Sequence, residues 1–207
     1  ACPNDHSFFD DIVKDKYPAI FIDRKPEGIS RDFVLSDGYG GSYDAVSYLI
    51  SKGHKRIAVL SGLINWSTGF ERLEGYKKAL ADNKIAIDDS LIFVGESTCS
   101  SGYNMAKKIY EMKLDATALF IASNAILMGA IEYFRDKEIR IPEDYAIIGF
   151  DNNQWTKTNK PSLSVVEQAS YELGKKAANL LLKKIKRSSS EYKTYKVPTK
   201  LIIRDSC

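Results

Sequence analysis

The chain has 207 residues, of which 44% are hydrophobic and 28% are charged. This balance is typical of a folded globular protein and excludes disorder as the main state. The formal net charge is only +3, which is too small for a surface that would have to neutralise many DNA phosphates by itself. No apolar run reaches the roughly 18 residues that a membrane-spanning helix needs, so we expect no membrane contact.

The cysteines indicate the compartment. Cys2, Cys99 and Cys207 are scattered along the chain and form no CxxC motif. An odd number of cysteines without a pairing motif favours reduced thiols, so we expect a cytoplasmic protein. The chain begins with Ala1-Cys2-Pro3 rather than with a methionine, and we interpret it as a fragment or a processed chain.

Short apolar runs alternate with amphipathic stretches. In chain order, the first half predicts strands at Ala19–Asp23 and Phe33–Ser36, a helix around Tyr43–Ile50, a strand at Arg56–Leu60 and a helix at Phe70–Asn83. The second half predicts a strand at Leu91–Val94, a helix at Ser101–Met112, a strand at Ala118–Ala122, a helix at Ala125–Lys137 and strands at Ala146–Phe150 and Leu163–Val166. A helical stripe over Leu173–Ile185 and a final strand at Val197–Arg204 follow, the latter containing a proline that suits a sheet edge. Strands separated by helices of about a dozen residues predict an α/β fold with a mainly parallel sheet.

Polar side chains follow five of the predicted strands. Ligands of open parallel sheets bind beyond the carboxyl ends of the strands, so these positions are candidates for a site. Asp23 and Asp151 could accept hydrogen bonds from hydroxyl groups, Arg72 could donate in a fixed fork, and Trp66 offers a flat apolar face. This set suits a polyhydroxylated ligand. For any single residue the alternative stays open that strand ends are polar because they meet water.

The sequence lacks the patterns of the common enzyme classes. It contains no GxSxG, P-loop or HExxH motif and only two histidines. Gly38, Gly40 and Gly41 match a dinucleotide fingerprint only in part, and a tight turn from strand to helix explains them better. No His and Cys cluster has the spacing of metal ligands. We therefore expect no enzyme, no cofactor and no bound metal.

Eight strings resemble the effector-binding core of the LacI-type bacterial transcription repressors, which share the fold of type I periplasmic sugar-binding proteins. They are PAIFIDR (Pro18–Arg24), YLISKGHKRIAVLSG (Tyr48–Gly62), ERLEGYKKAL (Glu71–Leu80), SSGYNMA (Ser100–Ala106), IPEDYAIIGFDN (Ile141–Asn152), PSLSVVEQ (Pro161–Gln168), ELGKKAANLLL (Glu172–Leu182) and VPTKLIIRDS (Val197–Ser206). The resemblance covers nearly the whole chain from Tyr17 onward.

The resemblance implies a two-lobe α/β fold with parallel sheets flanked by helices. Residues 1–36 and 170–196 would form an incomplete amino-terminal lobe, and residues 37–169 and 197–207 the carboxy-terminal lobe. A DNA-binding helix-turn-helix would lie outside the sequence given. The family's ligand contacts fall here on Asp23, Trp66, Thr68, Arg72, Ser97, Ser123 and Asp151.

By resemblance, the chain is expected to be the effector-binding and dimerisation core of a sugar-responsive transcription regulator. A sugar or sugar derivative between the lobes would alter the DNA affinity of a homodimer, whose operator contacts come only from the helix-turn-helix. Two alternatives remain open at this point. The chain could be a periplasmic-type sugar-binding protein, or a regulator whose co-effector is a protein.

We expect these 207 residues by themselves to bind no operator, because their net charge is small and DNA recognition needs a reading helix or a long basic stripe. An electrophoretic mobility shift assay checks this expectation. Specific binding that persists at high salt would contradict it.

Overall fold

The computed structural model describes residues 17–26, 28–186 and 192–207. The residues before Tyr17, which include Cys2 and the start of the predicted amino-terminal lobe, lie outside the described residues. The strands are β1 (Ile20–Ile22), β2 (Asp32–Ser36), β3 (Ile57–Gly62), β4 (Ile92–Gly95), β5 (Ala118–Ile121), β6 (Ala146–Phe150), β7 (Ser164–Gln168), β8 (Thr194–Val197) and β9 (Thr199–Ile202). The helices are α1 (Gly38–Ser51), α2 (Ser67–Asp82), α3 (Cys99–Glu111), α4 (Asn124–Asp136), α5 (Gln154–Thr158) and α6 (Ser170–Lys186), with a 3-10 turn at Asp89–Leu91.

The described strands form two sheets. A three-stranded sheet has the order β1-β2-β8, and both of its pairings are parallel. A six-stranded sheet has the order β4-β3-β5-β6-β7-β9, and only the pairing of β7 with β9 is antiparallel. The α/β fold with mainly parallel sheets that the sequence predicts is confirmed.

The chain passes between the two sheets at three points. It leaves the three-stranded sheet after β2, returns after β7, and leaves it again between β8 and β9. The prediction of a single final strand over Val197–Arg204 is wrong. Val197 pairs with Ser36 in one sheet, whereas Thr199 pairs with Gln168 in the other. Pro198 lies between them, where its missing N–H interrupts no ladder.

The core lies on both faces of the six-stranded sheet. Helices α1 and α2 cover one face, where Tyr76, Phe120 and Phe150 are buried. Helices α3 and α4 cover the other face, where Ile109 and Phe134 are buried. Because the central strands are buried on both faces, they are continuous apolar runs rather than alternating ones. A smaller cluster packs α6 on the three-stranded sheet.

Helix α1 begins at the end of β2, earlier than its predicted start at Tyr43. The Asp37 side chain caps it by accepting a hydrogen bond of 3.0 Å from the Gly40 amide. The cap allows the helix to begin directly after the strand, so α1 lies against α2 from its first turn.

Helices α1 and α2 cross at Gly75. A Cβ placed on Gly75 would lie 2.3 Å from the Tyr39 carbonyl oxygen and 2.9 Å from the Ser42 Cβ. Only glycine permits this approach, because the contact is with backbone that cannot rotate away. The close crossing fixes the rotation of α2 and therefore the direction of Arg72, three residues earlier.

We predict that Gly75→Ala lowers the free energy of unfolding by about 1–3 kcal/mol, because the added methyl forces the two helices apart. Gly174→Ala is the matched control. Gly174 is also helical, but a Cβ there has no neighbour within 4 Å, so alanine should raise stability by about 0.5–1 kcal/mol. Urea denaturation measures both. Equal effects of the two substitutions would contradict the proposed crossing.

Candidate functional site

A cavity of about 410 Å³ opens at the carboxyl ends of β3 and β4. Its lining comes from the loop after β3, from the first turns of α2, from the segment after β4 and from the loop after β1. The lining residues are Arg24, Gly62, Leu63, Trp66, Thr68, Gly69, Arg72, Glu96, Ser97 and Ala122. The cavity therefore lies between residues attached to the two different sheets.

The structure brings most of the predicted site residues to this region. Trp66, Thr68, Arg72 and Ser97 line the cavity. Asp23 lines a much smaller neighbouring cavity together with Thr68 and Arg72.

Two predicted residues are set back from the cavity walls. Asp151 follows β6 and acts on Arg72 through its charge rather than as part of the lining. Ser123 is buried at the start of α4, where its side chain makes no capping hydrogen bond. Its neighbour Ala122 lines the cavity instead.

The first turn of α2 faces the cavity. Trp66 precedes the helix in an extended conformation and forms no side-chain cap. Thr68 and Arg72 are four residues apart, which places them on one side of the helix, and both line the cavity. The amide groups of a helix's first turn have no partner within the helix and carry its positive end. This end of α2 therefore suits the oxygen atoms of a ligand.

The side chain of Arg72 is buried although it is charged, and contacts on several sides hold it in place. Only 9% of the residue is exposed. Its Nη1 donates a hydrogen bond of 2.7 Å to the carbonyl oxygen of Ala122. Its guanidinium carbon lies 3.7 Å from the centre of the Phe150 ring. A desolvated contact of a cation with an aromatic face stabilises by about 2 kcal/mol, which offsets part of the cost of burial.

Two carboxylates balance the buried charge. Burial lowers the pKa of the Arg72 guanidinium, while the negative charges of Asp151 and then Asp23 act in the opposite direction. An arginine nevertheless stays protonated throughout the ordinary pH range. Among the described residues, neither carboxylate forms a direct ion pair with Arg72. The two carboxylates therefore compensate Arg72 through their charge and not through a direct contact.

Both aspartates adopt a left-handed backbone conformation. The φ angle is 72° at Asp23 and 76° at Asp151. Residues other than Gly, Asn and Asp rarely adopt this region. At Asp151 the turn is held by its amide, which donates 2.8 Å to the Val166 carbonyl, and by a bond of 2.6 Å from Gln168 Nε2 to Asp151 Oδ1. Strained backbone of this kind persists where the surroundings fix it, and it concentrates at functional sites.

Trp66 is covered in part by the other side of the cavity. The Arg24 guanidinium carbon lies 4.5 Å from the centre of the indole ring. The Lys25 amide donates a hydrogen bond of 3.0 Å to Ser67 Oγ next to it. Because Arg24 and Lys25 follow β1 and Trp66 precedes α2, these contacts join the segments attached to the two sheets. The flat face expected for a ligand ring is thus shared with Arg24.

Three residues of the site were missing from the sequence-based selection. Arg24 and Glu96 line the cavity, and Gln168 holds Asp151. Arg24 and Glu96 are among the polar residues that follow predicted strands, but neither belongs to the set of ligand contacts that the family resemblance implies. Gln168 ends β7, and nothing in the sequence pattern pairs it with Asp151. Ser97 packs closely on the backbone of Gly62, because a Cβ on Gly62 would lie only 2.5 Å from Ser97 Oγ.

The described residues offer no alternative site of metal-dependent chemistry. They contain no group of three or more His, Cys, Asp or Glu side chains that could hold a metal ion. None of the helices in the described ranges is both long enough and apolar enough to cross a bilayer.

Comparisons with known proteins find a family of binding domains and a group of transcriptional repressors. Residues 46–207 match the family described as periplasmic binding protein-like domain. The HTH-type transcriptional repressor PurR of Vibrio atlanticus (strain LGP32) is 33% identical over 189 residues, which cover 91% of this chain and 57% of that protein. The chain thus spans little more than half the length of this relative.

Solved structures of similar fold have bound sugars. The transcriptional regulator CelR–cellobiose complex has a TM-score of 0.85 and 30% identity, covering 91% of this chain and 58% of that one. A LacI family transcriptional regulator from Enterococcus faecium with bound ribose has a TM-score of 0.80 and 31% identity, covering 90% and 69%. These proteins are named as repressors and regulators, which agrees with the expectation that the chain is not an enzyme.

We predict that Asp151→Ala lowers the free energy of unfolding by about 1–3 kcal/mol, because alanine is strained at positive φ and loses the bond from Gln168. Asp151→Asn should lower it by less than Asp151→Ala does, since asparagine tolerates this conformation and still accepts the bond, although it removes one of the charges that offset the buried Arg72 guanidinium. Urea denaturation distinguishes them. If both variants unfold at the same urea concentration, the strained turn is not what Asp151 stabilises.

Proposed function

The chain belongs to the periplasmic-binding-protein-like domain family, as the effector-binding core of a LacI-type regulator, and from this we propose that it binds a sugar or sugar derivative. The ligand would occupy the cavity of about 410 Å³ at the end of α2. This volume lies in the usual range for small-molecule sites. The bound cellobiose and ribose of similar structures support a sugar.

The observation that carries the proposal is the environment of Arg72. Its side chain is almost fully buried and oriented by Ala122 and Phe150, and the charges of Asp151 and Asp23 act on it. A sugar ring presents hydroxyl groups that both donate and accept, so one ligand can bind a guanidinium and a carboxylate together. Hydrogen bonds to charged partners are stronger than those between neutral groups. Orientation and specificity would come from these two groups.

The charge of the site favours a neutral sugar over an anionic one. Arg24 and Arg72 line the cavity together with Glu96. Asp151 and Asp23 add negative charge next to Arg72. An added phosphate or carboxylate would enter a region in which these three carboxylates outnumber the two guanidinium groups, and like charges in a partly buried site repel.

We infer that effector binding acts through the angle between two lobes. These would be residues 1–36 with 170–196, and residues 37–169 with 197–207. Contacts of Arg24 with Trp66 and of Lys196 Nζ with Glu71 Oε1, at 3.0 Å, join these two parts. A ligand changes such an angle only by as much as its affinity differs between the open and closed forms.

The regulatory output would arise in the full-length protein. We propose that it is a cytoplasmic homodimer, in which the lobe angle sets the spacing of two DNA-reading heads over half-sites about one helical turn apart. The relatives named as HTH-type repressors support this reading over that of a periplasmic sugar-binding protein. A protein co-effector would be indicated if no sugar bound.

Isothermal titration of the chain with ribose, cellobiose, gluconate and glucose 6-phosphate tests the proposal. We expect one of the two neutral sugars to bind and the two anions to bind more weakly or not at all. For the sugar that binds, Arg72→Lys and Asp151→Asn should each weaken binding by about 10-fold or more, because each removes a hydrogen bond of a charged group.

The control is the exposed pair Arg140 and Asp144, which is joined at 2.7 Å and precedes β6 at the opposite end of the sheet. Arg140→Lys and Asp144→Asn should leave the affinity unchanged. Affinity that is insensitive to the Arg72 and Asp151 substitutions would place the ligand elsewhere. Preferential binding of the anions would refute the argument from charge.

A further inference from the structure

A second, smaller cavity neighbours the candidate sugar site and shares Thr68 and Arg72 with it. Its volume is about 10 Å³, which is close to the minimum that one water molecule occupies. Its walls include Ser36, Arg72 and Gln168, together with Asp23 and Thr68. A space of this size excludes a sugar and admits a single small polar molecule.

Three of the residues around this cavity carry buried polar atoms without a partner. They are Ser36 Oγ, Arg72 Nε and Gln168 Oε1, each fully shielded from solvent and without a hydrogen bond among the described residues. Leaving such a group unpaired costs about 1–3 kcal/mol, and more for a charged one. Three unpaired groups around one small space require a common explanation.

The orientation of Gln168 is fixed by its other neighbour. The amide nitrogen Nε2 donates to Asp151 Oδ1 at 2.6 Å, and a carboxylate can only accept. The amide oxygen Oε1 must therefore be the atom that is left over. The three free groups are thus a donor at Arg72 Nε, an acceptor at Gln168 Oε1, and a hydroxyl at Ser36 that can do either.

We propose that one structural water occupies this cavity and joins the three groups. The water accepts a hydrogen bond from Arg72 Nε and donates one to Gln168 Oε1 and one to Ser36 Oγ. Buried waters in proteins typically make about three such bonds, and both the polarity and the volume of the site meet that requirement.

The position of this water links the sugar site to the segments between the sheets. Ser36 ends β2 and Gln168 ends β7, and the chain passes from one sheet to the other directly after each of them. Gln168 also holds Asp151. The water therefore helps to orient Arg72 and Asp151 relative to both crossing points. Its role in the sugar site rests on the proposed function, whereas the presence of the water does not.

Two matched substitutions test the water without any ligand. Ser36 and Ser61 are both buried serines whose Oγ has no partner among the described residues, but only Ser36 lines the small cavity. Ser36→Ala removes a partner of the water, so the unfolding temperature should fall by about 2–4 °C, the shift expected for one hydrogen bond in a chain of this length. Ser61→Ala removes an unpaired hydroxyl, so the unfolding temperature should stay the same or rise.

A crystal structure of the chain at high resolution provides the direct check. We expect one water with all three atoms at hydrogen-bond distances of about 2.7–3.2 Å, and we expect Ser36→Ala to leave it with two partners. A direct bond between Arg72 Nε and Gln168 Oε1, or an unfolding temperature of Ser36→Ala equal to that of Ser61→Ala, would overturn the proposal. Neither result depends on whether a sugar binds, so failure here and failure of the proposed function are distinguishable.

Discussion

The candidate site is organised around one desolvated cation. A guanidinium that is withdrawn from water must be compensated on every side, and the protein does this for Arg72 with the Ala122 carbonyl, the Phe150 ring and the charges of two aspartates. These partners come from three separate segments of the chain. The position of Arg72 therefore depends on the correct packing of α2, β5, β6 and the loop after β1, so the requirement of a single charge couples the fold to the site.

This arrangement requires an unusual backbone at a small number of positions. Gly75 allows α2 to approach α1 closely enough to direct Arg72 inward. Asp23 and Asp151 end their strands in the left-handed region, where the chain turns sharply and leaves both carboxylates beside Arg72. These features lie on rigid elements rather than on long loops, and a site built in this way is held in the geometry that binding needs.

Much of the fold could be predicted from the sequence, because buried parallel strands and amphipathic helices have distinct periods. Arg72 and Asp151 are selected both by their places after strands of one sheet and by the family resemblance. The proline correctly predicts an edge, since β8 and β9 both lie at sheet edges, but it does not by itself indicate that the chain passes from one sheet to the other at Pro198. The role of Gln168 could not be predicted, because it depends on the packing of one strand end beside another. The same is true of the contact of Arg24 with Trp66, which joins distant parts of the chain.

The central claim is that Arg72 and Asp151 bind the same small molecule. A crystal structure of the chain with the tightest-binding sugar of the titration tests it most directly. The account predicts adjacent sugar hydroxyls at about 2.6–3.2 Å from the Arg72 guanidinium and from the Asp151 carboxylate, with Arg72 still bonded to the Ala122 carbonyl. A sugar held elsewhere, with neither side chain in contact, would contradict the account.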